Sequence, residues 1–78
     1  MMEQTVEVGD LFRDNDERLK GSRIVKVLSI ERERNTDYAV VENVEHWDEK
    51  RIGRKSRVMV GRLAFCAVWQ TGYTKISH

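Results

Sequence analysis

The stretch RIVKVLSIERERNTDYAVVENV, residues 23–44, decides the fold class. Its second half is the clearer. In Tyr38-Ala39-Val40-Val41-Glu42-Asn43-Val44, an extended chain puts Tyr38, Val40 and Val44 on one face and Ala39 and Val41 on the other. Tyr and Val are residues that strands enrich. The first half, Arg23 to Glu33, reads as a long strand with Ile24, Val25, Val27, Leu28 and Ile30 distributed over both faces. Either both faces are partly covered, or a bulge shifts the phase at Val25–Leu28. Glu31-Arg32-Glu33-Arg34 alternates in sign, as a strand end reaching into solvent does, and Asn35-Thr36-Asp37 supplies the turn.

Upstream, Val6 and Val8 alternate with polar residues and predict a half-buried strand over 6–12. Arg13-Asp14-Asn15-Asp16-Glu17-Arg18 then reads as a loop or one short helical turn, closed by Gly21-Ser22, because Asp and Asn bond their own backbone. Downstream, residues 45–56 are the most polar excursion. Arg57-Val58-Met59-Val60 is a further strand, residues 61–65 fit a short helical turn, and Gly72-Tyr73-Thr74-Lys75-Ile76 is a last strand. There is no proline, and five glycines punctuate the chain. The pattern predicts one all-β domain over residues 1–78: a small five-stranded SH3-like barrel with a short helical turn before the last strand. An α+β alternative makes residues 61–70 a full helix, with Leu63, Ala67 and either Phe65 or Val68 on one side.

Seventy-eight residues allow one compact core, since a chain of this size buries only roughly 60% of its unfolded surface. At 40% apolar and 35% charged, it is too apolar for a disordered tail and too charged for a membrane protein. Met1-Met2-Glu3-Gln4 lacks a basic region followed by an apolar run, so no secretory leader is expected. The lone Cys66 excludes an internal disulfide and fits a reducing compartment, hence a cytoplasmic expectation. Its neighbours, Leu63 to Trp69, mark it and Trp69 as core residues.

The function classes narrow next. Only His46 and His78 are available for acid–base work near neutrality, and no nucleophile–base pattern accompanies them, so an enzyme is not expected. His46, Asp48 and Glu49 are too close together to build a metal site. Asp14-Asn15-Asp16 resembles the start of a calcium loop but lacks the later glycine and the closing Glu. Neither cofactor nor metal is expected.

Charge is the remaining signal. Residues 1–49 carry seven Lys/Arg against thirteen Asp/Glu, whereas residues 50–78 carry seven Lys/Arg and no carboxylate. Lys50, Arg51, Arg54, Lys55 and Arg57, followed by Arg62, form a basic hairpin suited to phosphate neutralisation. Trp47 and Tyr73 are candidate stacking faces for a single strand. The opposing reading pairs those cations with Glu42, Glu45, Asp48 and Glu49. A second binding class uses Asp14, Asp16 and Glu17 for electrostatic docking on a protein, with Trp47 as the anchor. The expected partners are therefore nucleic acid or a protein, with no membrane.

Residues 9–27, Gly9 through Val27, resemble a family of small uncharacterised bacteriophage and actinobacterial proteins. The similarity lies in a Gly-x-aromatic opening, Asp14-Asn15-Asp16-x-Arg18, and a glycine before a valine-rich strand. Thr71-Gly72-Tyr73 resembles that family's ending, and Arg57 to Leu63 its preceding basic strand. Phe12 stands where tryptophan is common, and Ser22 displaces an arginine to Arg23. The resemblance implies a phage-type accessory protein in a host cytoplasm with no catalytic residues to carry over. It raises the expectation of a modulator or inhibitor of a host or defence protein.

Overall fold

The protein is described from a computed structural model that covers residues 5–64 and 72–77. Five antiparallel strands form one sheet: β1 (Leu11–Asp14), β2 (Ile24–Glu33), β3 (Thr36–Glu45), β4 (Lys55–Met59) and β5 (Tyr73–Ser77), in the order β4-β3-β2-β1-β5. Single 3-10 turns sit at Glu17–Leu19 and Glu49–Arg51, and a one-turn helix α1 (Val60–Ala64) follows β4 directly. Among the described residues no ladder joins β4 to β5, so the sheet is open at those two edges.

β2 and β3 make the backbone of the fold because both are long and rich in valine. They meet in a two-residue hairpin in which Glu33 faces Thr36 and Arg34 and Asn35 both have positive φ, 50° and 66°. That left-handed pair matches the twist of the strands, and Asn tolerates it well. The turn is therefore Arg34-Asn35, starting one residue earlier than Asn35-Thr36-Asp37 and one residue shorter. The phase shift anticipated between Val25 and Leu28 is present. Val27 faces Val41 but Ser29 faces Val40, leaving Leu28 as the extra residue, and a second irregularity lies between Ile24 and Val25.

Residues opposite one another share a face, and the buried ones line up in rows: Phe12 with Val25, Val27 with Val41, Ala39 with Val58. Leu63 of α1 and Tyr73 of β5 complete this core. Full burial of a side chain such as Phe12 stabilises by about 1.5–3 kcal/mol. The first strand begins later than Val6 and Val8 suggest. Gly9 takes φ 97° in a turn, its N–H donating to the Val27 carbonyl, and Val8 is 62% exposed. The buried Asp10 carboxylate closes this corner, accepting from the Glu7 N–H at 2.8 Å and from Lys75 Nζ at 3.2 Å. Cys66, Trp69 and His78, and the rest of the 61–70 helix alternative beyond Ala64, lie outside the described residues. No helix among the described residues is long and apolar enough to cross a membrane.

Candidate functional site

One end of the sheet is closed by two loops, the segment after β1 and the turn between β3 and β4. Between them lies a cleft of about 540 Å³, lined by Asp16, Arg18, Leu19, Arg23, Asn43, His46, Trp47, Arg51, Arg54, Lys55 and Ser56. The lining thus draws on both stretches that the sequence separates into a basic and an acidic candidate surface.

Arg23 forms the floor. It stands just before β2, and its guanidinium gathers groups from four strands. Nη1 donates to Asp14 Oδ2 at 2.6 Å and to the Tyr73 hydroxyl at 2.9 Å. Nε donates to Asn43 Oδ1 at 2.9 Å, and Nη2 reaches Ser56 Oγ at 3.5 Å. Arg23 and Asp14 retain only 17% and 13% of their side-chain exposure. Burial alone pulls the Arg23 pKa down, but the bonds to Asp14 and Tyr73 outweigh it and the net shift is upward. Asn43 extends the network: its Nδ2 donates to the Arg51 carbonyl at 3.0 Å, while its backbone pairs with Gly53 and Arg54. Every side-chain atom of this buried amide is satisfied, and the β3–β4 turn is fastened to the floor through it.

The acidic loop is tied up locally. Asp14 Oδ1 accepts the Asp16 N–H, and Asp16 Oδ1 accepts the Arg18 N–H, two successive Asx turns of the kind those residues favour. Arg18 also grips Asp16 side-on, through Nε at 3.1 Å and Nη2 at 2.8 Å. Those bonds hold the Asp16 carboxyl below the ordinary aspartate range and push Arg18 up. Glu17 opens the 3-10 turn Glu17–Leu19. Asp14 is the last residue of β1 rather than a loop residue.

The basic turn is different. Asp48 caps the 3-10 turn by accepting the Lys50 N–H, and it contacts Arg51 at a long 3.5 Å. Arg57 is engaged on the sheet surface, bonded to Glu33 at 3.0 Å and lying over the Tyr38 ring at 4.3 Å. Among the described residues Lys50, Arg54 and Lys55 form no ion pair, and all three are exposed. Of the pairing with Glu42, Glu45, Asp48 and Glu49 that forms the opposing reading, the Asp48–Arg51 contact is present, and those with Glu42, Glu45 and Glu49 are not formed among the described residues. Lys50 and Arg57 do not line the cleft; Arg51, Arg54 and Lys55 do.

Trp47 stands at the rim with 69% of its surface exposed, its ring 5.7 Å from that of His46. His46 Nδ1 accepts the Asp48 N–H at 2.9 Å, so the neutral ring carries its proton on Nε2. Both rings also border a second hollow of about 310 Å³, with Ser22, Val44, Glu45 and Ile52. Tyr73, the other candidate stacking face, is buried, with Arg62 near its ring at 5.8 Å. It serves the floor instead. Arg23 and Asn43 are the site residues that sequence reading missed. A lone Arg ahead of an apolar strand and a lone Asn inside one are the only local signs they give. No group of His, Cys, Asp or Glu among the described residues is placed to hold a metal ion. Compared with protein-family models, curated proteins and solved structures, the chain finds no match, and its resemblance to the phage and actinobacterial proteins rests on the quoted motifs alone.

Proposed function

We propose that the protein is a non-enzymatic binding module that contacts nucleic acid through Arg51, Arg54 and Lys55, with Lys50 and Arg57 extending the positive surface. The observation that carries this reading is the exposed, unpaired state of Arg54 and Lys55 at the rim of a cleft with five cationic side chains and one carboxylate in its lining. A concave positive surface concentrates phosphate, and neutralising it releases condensed counterions. The competing use of Asp14, Asp16, Glu17 and Trp47 as a protein-docking surface has less behind it. The carboxylates of Asp14 and Asp16 are already bonded to Arg23 and Arg18.

The fold part of the proposal is an SH3-like barrel. The meander order with β5 returning to β1, the bulge at Leu28 that bends β2, and the helical turn before β5 support it. Such small β-domains carry their binding residues on the loops at one end.

Fluorescence polarisation with labelled oligonucleotides tests the reading. Binding is expected at ~50 mM salt and a steep loss by ~200 mM. Reversing Arg54 and Lys55 to Glu abolishes it, whereas Asp16→Lys leaves it intact or strengthens it. No binding even at low salt overturns the proposal. A single host protein captured in stoichiometric amount, and lost on Asp16→Lys, hands the function to the competing use.

A further inference from the structure

Resting on the nucleic-acid reading, we infer that the ligand is single-stranded and that one of its bases stacks on Trp47. Trp47 is the most exposed large apolar side chain among the described residues, at 69%. It occupies the ridge between two hollows, of about 540 and 310 Å³, and borders both. The indole can therefore be approached from either side, and its position is set from below. Its neighbour His46 is held by the Asp48 N–H, Asp48 caps the following turn, and Asn43 fastens that turn to Arg23.

The two hollows differ in a way that matches the two halves of a nucleotide. The larger has the cations; among the described residues Arg54 and Lys55 are free of ion pairs, and Arg23 Nη2 makes the long 3.5 Å contact to Ser56. That is a phosphate environment. The smaller hollow has Val44 and Ile52, the latter 46% exposed, with Glu45 and His46 beside them. An apolar wall with a carboxylate and an imidazole beside it suits a base with its polar edge. A strand crossing the ridge places a phosphate on the cationic side and a base against Trp47 and the Ile52 side. A duplex keeps its bases in their own stack and presents only phosphates, so it meets the cations and leaves the indole unused.

The test compares fluorescein-labelled oligothymidylate with a labelled duplex of the same length, at ~50 mM salt. The wild-type chain is compared with Trp47→Ala, Trp47→Phe and the double variant Arg54→Glu/Lys55→Glu. Trp47 is exposed, so circular dichroism of the Trp47 variants should match wild type. The expected result is tighter binding of the single strand, a loss of about five- to 150-fold for it in Trp47→Ala, and retention in Trp47→Phe. Duplex binding should be unaffected by either Trp47 change. The salt slope of Trp47→Ala should equal that of wild type, while the double charge variant should lose both ligands. Equal affinity for both ligands, with Trp47→Ala silent, overturns the inference and leaves the cationic contact standing. Failure of both ligands to bind overturns the nucleic-acid reading itself.

Discussion

Residues 14–18 and residues 50–55 close the same end of the sheet and carry opposite net charge, but they use it differently. In Asp14 to Arg18 the carboxylates of Asp14 and Asp16 are bonded to their own neighbours: Asp14 to Arg23 and the Asp16 N–H, Asp16 to the Arg18 side chain and N–H. In the β3–β4 turn the side chains of Lys50, Arg54 and Lys55 are left to solvent, and the turn is held by Asn43 and Asp48 instead. One loop is built out of its charges. The other is built by Asn43, the Asp48 cap and backbone groups, and carries its cations outward. Equal charge density in a sequence therefore says little about charge available to a partner; the bonds already made decide it.

The largest break in this contrast should come from Arg23→Ala. It strands Asp14 and Asn43 Oδ1 at a mostly buried site, and a loss of about 2–4 kcal/mol is expected in urea denaturation. Arg23→Lys should recover only part of it, because an ammonium cannot fork to Asp14, Asn43 and Tyr73 together. A loss under ~0.5 kcal/mol, the range of ordinary surface changes, would mean that the floor is not structural. Arg54→Glu with Lys55→Glu supplies the other pole: stability should stay within about 0.5 kcal/mol of wild type while oligonucleotide binding disappears.

Asp48→Ala sharpens the comparison, since Asp48 is the one carboxylate that serves the basic turn. Removing the cap should cost about 0.5–1 kcal/mol, and freeing Arg51 should raise oligonucleotide affinity measurably. The smallest effect concerns Asp16. Its carboxyl titrates below the ordinary aspartate value, so the group favours the folded state above that ordinary value, and this contribution fades as pH falls through the lowered one. Carboxyl-carbon NMR should give that lowered midpoint, and Arg18→Ala should move it toward the ordinary value, the backbone N–H of residue 18 keeping part of the shift.

Much of the sheet was legible locally. The alternation in residues 38–44 marks β3, and the run of apolar residues from Ile24 to Leu28 betrays the bulge, because strict alternation fails where an extra residue enters. β1 was misread by several residues. Val6 and Val8 alternate well, but Gly9 and the buried Asp10 turn the chain first, and Asp14, a poor strand former, joins β1 because Arg23 holds it. The site was half legible. The exposed Trp47 and the basic turn can be read from the polar stretch around them, whereas Tyr73, a candidate stacking face by sequence, is buried. Arg23 and Asn43 were invisible because their partners lie far along the chain. The contacts span 20 residues between Arg23 and Asn43 and 50 between Arg23 and Tyr73, and no local window contains them.

That last span also makes the floor depend on the strand most distant in the chain. Tyr73 is the member of the cluster that β5 contributes, and its hydroxyl shares Nη1 of Arg23 with Asp14. Without β5 the arginine would keep Asp14, Asn43 and Ser56 but lose the phenol, and β1 would lose the ladder along its outer edge. Docking of that one strand thus couples the edge of the sheet to the rigidity of the receptor end.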